Sequence, residues 1–180
     1  LRDLQEPEAL SELLARVIET RNACAPGKAV LLKIAPDLAL AQLDGIVRVA
    51  RMRGVDGMIV SNTTIARPAS LRAAQANETG GLSGAPLFDL STKMLSETFV
   101  RVERQFPLIG VGGVDSAEKA LTKIEAGATL VQLYSALVYE GPGLPARIKN
   151  GLVATLTKEN TTLVALTGRK ARDIVKDLGG

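Results

Sequence analysis

The residue types best suited to chemistry in this chain sit in a few short, punctuated segments. Gly110-Val111-Gly112-Gly113 closes one apolar run and stands just ahead of a helical pattern. The free first-turn N–H groups of such a helix, together with its dipole, hold phosphate through backbone donors. The following apolar run ends in Leu133-Tyr134-Ser135-Ala136, which adds a hydroxyl and further amides. In (β/α)8 barrels the loops after the last two strands commonly build a phosphate site, and these two loops have that place in the order of elements. The same glycines serve equally well to make a tight turn. Lys33 lies one residue from the end of the otherwise apolar run Ala29 to Ile34, with no carboxylate before Asp37. A cation beside an anionic ligand, a Schiff-base amine and a lysine that snorkels to solvent all fit it.

Two further segments offer polar groups without charge. Ser61-Asn62-Thr63-Thr64 follows a buried-strand pattern with four neutral hydrogen-bonding side chains. Such a set suits a planar, amide-rich ligand better than a metal, which prefers carboxylates or thiolates, and it also suits an ordinary Asx or Ser/Thr turn. Thr79-Gly80-Gly81-Leu82-Ser83-Gly84 reads as a backbone-rich loop, either lid or turn. Cys24, the one cysteine, sits between a helix and Pro26-Gly27. A lone cysteine away from strand ends reads as inert.

The elements that position these residues are legible in the spacing: Leu10, Leu13, Leu14, Val17 and Ile18 predict a surface helix over 7–21. Residues 29–34 predict a strand buried on both sides, 40–53 a second helix closed by Gly54, and 57–60 another short buried strand. Residues 61–90 are polar and Gly/Pro-rich, a long loop of the kind that is functional or mobile. A helix over 91–105, a strand over 107–111, a helix over 117–126 capped by Asp115 or Ser116, and a strand over 128–133 complete the alternation. From 144 onward the pattern is helical with a break near 160–162, and Arg169, Lys170, Arg172 and Lys176 read as a solvated basic helix face. Strands alternating with amphipathic helices predict a parallel α/β sheet with right-handed crossovers, either half of a (β/α)8 TIM barrel or a small doubly wound sheet. Four strands leave two bare edges, which favours the barrel half over a free-standing sheet.

Composition removes other classes. With 180 residues, 46% hydrophobic and 23% charged, the chain is an ordinary globular one, a single domain or a large part of one. There is no histidine, which excludes a Ser-His-Asp triad, a His-rich zinc site and an imidazole base within it. A net charge of +3 with two Tyr, three Phe and no Trp leaves little to bind nucleic acid. No apolar run reaches the length of a membrane span, and no metal site is expected.

Taken together, LLKIAPDL (31–38), SNTT (61–64), ETGGLSG (78–84), IGVGGV (109–114) and LVQLYSAL (130–137), followed by EGP (140–142), resemble the quinone-linked class 2 dihydroorotate dehydrogenases, in the family's order and spacing over about residues 1–150. The resemblance implies a flavin mononucleotide (FMN) enzyme on a (β/α)8 barrel that oxidises dihydroorotate to orotate in pyrimidine biosynthesis. It implies that Lys33 lies by the flavin ring, that Ser61 touches the flavin, and that Asn62 and Thr63 bind the substrate ring. It further implies that Ser83 and Gly84 pass close to the cofactor, while Gly112, Gly113, Tyr134 and Ser135 cradle its phosphate.

The resemblance places this chain as the carboxyl-terminal half of one FMN-binding barrel domain. A family-like SPNTPG segment, the serine base on its loop, the first barrel strands and the amino-terminal helices that meet quinone are all expected ahead of Leu1. The full protein is accordingly expected on the cytoplasmic side of the inner membrane, peripherally held. The chain alone is expected to be inactive, with the rest of the barrel, or a second copy, at its bare sheet edges. The residues also leave open a phosphate-binding aldolase or synthase using Lys33 as its amine, and an inactive, self-associating half-barrel.

Overall fold

The computed structural model describes residues 6–69, 71, 76 and 78–177. The four strands are β1 (Leu31–Ile34), β2 (Gly57–Val60), β3 (Leu108–Val111) and β4 (Leu130–Gln132). They form one parallel sheet in the order β1-β2-β3-β4, with Lys33 opposite Ile59, Ile59 opposite Ile109, and Ile109 opposite Leu130. Each crossover carries a helix: α2 (Leu40–Arg53), α3 (Phe88–Val102) and α4 (Ala117–Glu125). Ahead of the sheet runs α1 (Pro7–Cys24), and behind it α5 (Ser135–Glu140), α6 (Leu144–Glu159), α7 (Leu163–Leu166) and α8 (Ala171–Asp177).

Local chemistry accounts for the ends. Pro7 starts α1, where its missing N–H costs nothing. Ser116 caps α4 by accepting from Lys119 N at 3.2 Å, so of the two candidate caps it is Ser116 that acts. Helix α3 begins at Phe88, three residues before the sequence pattern, because the 3-10 turn Ala85–Leu87 feeds directly into it. The six-residue helix α5 is absent from the sequence reading, being too short to show a period.

Alternation along the strands divides the sheet into two unequal faces. Ile34, Met58, Val60 and Leu108 are buried against α1, α2 and α3, together with Leu43, Ile46, Leu95 and Val102. The opposite face carries Leu31, Lys33, Ile59, Ile109 and Leu130, of which Leu31 is 39% and Leu130 60% exposed. Residues 29–34 are therefore not a strand buried on both sides. They include an edge strand with one open face, as β4 is at the other edge, and this is the geometry of a barrel wall seen from inside. A second, smaller cluster of Val114, Ala120, Leu144 and Ile148 joins α4 to α6.

The carboxyl-terminal basic residues divide into two pairs with different roles. Glu125, a carboxylate only 4% exposed at the end of α4, is bonded by Arg169 and, at 2.7 Å, by Lys170. The backbone N–H groups of Gly168 and Lys170 donate to the carbonyls of Ile124 and Glu125, both at 3.0 Å. All four basic residues are exposed, as the pattern predicts, but Arg169 and Lys170 also strap the chain to α4 through Glu125, whereas Arg172 and Lys176 lie on α8.

Candidate functional site

All four strands end on the same side of the sheet, and the loops that follow them border one cavity of about 440 Å³. Parallel sheets hold ligands at this end because every strand delivers its following loop there. Lys33 comes from β1, Ser61, Asn62 and Thr63 from the end of β2, Gly112 and Gly113 from β3, and Tyr134 and Ser135 from β4. Ser83 and Gly84 reach the same space from the long loop before α3. The ten residues singled out from the sequence therefore stand around one concavity, and Leu87, Val111, Val114, Asp115 and Gln132 join them there.

The loops are tied to each other before any ligand is considered. Asp37 accepts from the Thr64 hydroxyl and, at 3.3 Å, from Ile65 N, which fixes the segment after β2. Thr64 and Leu82 pair as an isolated antiparallel bridge, with N–H to O distances of 3.1 and 2.7 Å. That bridge brings the Gly-rich loop over Thr63, and the Oγ of Ser83 lies 2.8 Å from the Oγ of Ser135. Ser61 is buried, with its hydroxyl on the Asn62 carbonyl at 3.0 Å, and Asn62 Oδ1 accepts from Thr63 N at 2.9 Å. Lys33 is exposed on the open face of the sheet, so the buried-lysine argument for a Schiff-base amine does not apply in this chain.

The glycine turn after β3 is built close to α3. Gly112 has φ +112°, and a Cβ there would lie 2.6 Å from Ser91 Oγ; Gly113 has φ +71°, and a Cβ there would lie 2.8 Å from Phe88 Cα. Neither position has room for a side chain, so the turn packs directly on Ser91 and Phe88 of α3. The helix that starts at the cavity is α5: Ser135 and Ala136 line the space, whereas the lining ends at Asp115 ahead of α4, whose Lys119 N–H is taken by Ser116. A short extra helix beyond the last strand is the usual companion of a barrel phosphate site. The carboxylates at the rim are neutralised, Asp115 by Lys119 at 2.6 Å and Glu140 by Arg147 at 2.7 Å. Hydroxyls, side-chain amides, glycine backbone and one ammonium line the space. Among the described residues no group of three His, Cys, Asp or Glu is placed to hold a metal.

Behind this turn lies a residue that sequence reasoning missed. Lys123, on α4, is fully buried, and its Nζ donates to Ser91 Oγ at 2.6 Å and to the Phe88 carbonyl at 3.4 Å. Burial pushes its pKa down to about 7, against the opposing pull of Asp89. The available signal was a lysine on the apolar stripe of Ala120 and Ile124.

The fold is that of an α/β protein forming one half of a (β/α)8 barrel wall, with its cavity at the strand ends. The family model described as dihydroorotate dehydrogenase matches residues 1–156. A dihydroorotate dehydrogenase (quinone) from a Bradyrhizobium species is 58% identical over 98% of this chain and 50% of its own length. One from Rhodopseudomonas palustris is 62% identical over 88% of this chain and 44% of its own length. The crystal structure of the ligand-free DHODH of Eimeria tenella superposes with a TM-score of 0.87 at 33% identity, covering 94% of this chain and 52% of that one. The chain belongs to the dihydroorotate dehydrogenase family, and it spans about half the length of the curated relatives it matches. Among the described residues no helix is long and apolar enough to cross a membrane.

Proposed function

We propose that this chain is the FMN-binding half of a quinone-linked dihydroorotate dehydrogenase, which oxidises dihydroorotate to orotate in the synthesis of pyrimidine nucleotides. The observation that carries the reading is the convergence of eight residues from four strand ends, with Ser83 and Gly84 from the long loop before α3, on one cavity of about 440 Å³, in a chain of this family. The donor set fits the cofactor: glycine backbone and hydroxyls at one end for a phosphate, neutral polar groups and an ammonium at the other for a polar ring.

FMN, when bound, would supply the two-electron acceptor for the oxidation. The amides of Gly112 and Gly113, with Tyr134 and the Ser135 hydroxyl, hold the phosphate. Lys33, on the open face of β1, would place a positive charge beside the flavin ring, where it would stabilise negative charge. Ser61, Ser83 and Gly84 border the ring system. Asn62 and Thr63 orient the dihydroorotate ring, and their neighbour Thr64 is anchored by Asp37, so the pair is held before substrate arrives. The family resemblance assigns the proton leaving the substrate to a serine expected ahead of Leu1, and within this cavity there is no histidine and the rim carboxylates Asp115 and Glu140 are paired. The open sheet face, with Leu31 and Leu130 exposed, is assigned to the remaining strands of the barrel. On this reading, peripheral membrane attachment and quinone contact also belong to the remainder of the protein.

Absorption by bound flavin at about 450 nm tests the cofactor. Dye reduction with dihydroorotate tests the division of labour. The chain alone is expected to be inactive and to gain activity when an amino-terminal half is added. Dye reduction by the chain alone would overturn the assignment of the base, and a colourless protein that never takes up FMN would overturn the reading as a whole.

A further inference from the structure

Lys123 poses a physical problem that the proposed chemistry leaves unanswered. A buried ammonium without a partner carboxylate is costly, and a methionine or leucine would fill the same stripe of α4 without that cost. Among the described residues no carboxylate lies within salt-bridge distance of its Nζ. The charged groups around it are Asp89 on α3, whose field reaches it, and Lys119, which shares the Phe88 ring from 5.4 Å and is itself paired with Asp115.

What Lys123 does hold is the floor of the glycine turn. Its stem lies against Gly110 of β3, and its Nζ sits 5.0 Å from the Phe88 ring. Ser91 Oγ, which it contacts at 2.6 Å, lies 3.3 Å from the Gly112 carbonyl, and Gly112 packs on Ser91. Gly113 packs on the backbone of Phe88, whose carbonyl Lys123 also bonds. Both glycines therefore rest on groups that one ammonium fixes.

We propose that Lys123 is a positioning residue of the phosphate subsite: it braces the Gly112–Gly113 turn through Ser91 and Phe88, and it places a positive charge beneath the point where the FMN phosphate docks. This rests on the FMN reading above. A dianionic phosphate on the cavity side of the turn compensates the buried ammonium, which explains why a cation is kept where an apolar side chain would pack. Because burial leaves the group titrating near neutrality, binding of the phosphate draws a proton onto Lys123.

The test compares FMN with riboflavin, which has the same ring and no phosphate, on the apoprotein of the full-length enzyme, by fluorescence titration from pH 7 to 9. This window lies above the second phosphate ionisation, at about 6. In the wild type, FMN affinity is expected to weaken several-fold from pH 7 to 9 while riboflavin affinity stays level. In Lys123→Met, FMN affinity at pH 7 is expected to fall about tenfold or more, with riboflavin within about twofold and the FMN pH dependence gone. Equal losses for both ligands would make Lys123 a packing residue and overturn the proposal, as would a wild-type FMN profile that is flat or matched by riboflavin. The wild-type profile needs no variant, so the test stands even if Lys123→Met folds poorly. A wild type that binds neither ligand would overturn the FMN reading itself, and with it this one.

Discussion

Replacing Lys123 by methionine also perturbs the empty protein, and the size of that effect follows from its surroundings. The ammonium has an ordinary pKa of 10.5 when the chain is unfolded and about 7 in the folded protein, where burial disfavours its charge. Between those two values the unfolded chain binds more protons than the native one, so stability rises with pH through this window. Below pH 7 the full cost of burying the charge is present, and above 10.5 it is gone. From pH 7 to pH 9, one group with these two values adds about 2 kcal/mol to the free energy of unfolding. Lys123→Met removes that contribution while keeping most of the side-chain volume over Gly110. The lost bond to Ser91 costs about 1 kcal/mol at either pH, so the informative quantity is how the wild-type-to-variant difference changes with pH. Urea unfolding of both apoproteins at pH 7, 8 and 9 measures it. The variant's relative stability is expected to be about 2 kcal/mol better at pH 7 than at pH 9. Parallel profiles, with a change below about 0.5 kcal/mol, would show that Lys123 is not desolvated in the way its burial implies.

Gly113→Val is expected to destabilise the fold by about 3 kcal/mol, combining a left-handed backbone with overlap on Phe88, and a midpoint in urea within error of the wild type would refute this. Its Cβ would meet α3 rather than the cavity, so flavin loss in this variant reports on the turn and not on a direct ligand clash. Glu125→Gln is expected to cost about 2 kcal/mol at pH 7 by removing the charge from the bonds to Arg169 and Lys170. Those bonds hold the Glu125 carboxyl below its usual 4.5 despite burial, so its contribution is present above pH 4.5 and lost as pH falls through the lower folded value. The wild-type advantage in urea unfolding should therefore shrink in acid and hydrogen exchange in α8 should speed up at pH 7, neither of which would occur if the strap were unimportant. Asn62→Ala in the full-length enzyme is expected to lower turnover with dihydroorotate while leaving the flavin spectrum intact. Equal loss of flavin and activity would assign Asn62 to the general shape of the cavity.

The sequence by itself determined the alternation of elements, the direction of the sheet and the segments that carry polar chemistry. Those features are local: a strand shows its apolar run, a helix its period, a turn its glycines, and a parallel crossover sends the end of every strand to one side. That is why SNTT (61–64), GVGG (110–113) and Leu133-Tyr134-Ser135 are legible as strand ends in the sequence, and why all three segments border one cavity. The tertiary structure decided what depends on residues far apart in the chain. Whether 29–34 has one covered face or two depends on what packs against it, and its apolar letters are the same in either case. Arg169 and Lys170 read in the sequence as plain surface charge, and only the return of the backbone beyond α7 to Glu125, 44 residues back from Arg169, gives these exposed side chains a buried partner. Lys123 reads as one more charge on a helix, and only the approach of α3 behind β3 buries it and sets its ammonium under two glycines. Helix α5 is too short to have a period, yet its start faces the cavity that the α4 start was expected to serve. In each case the deciding energy is that of desolvation or close packing between distant segments, which no local pattern encodes.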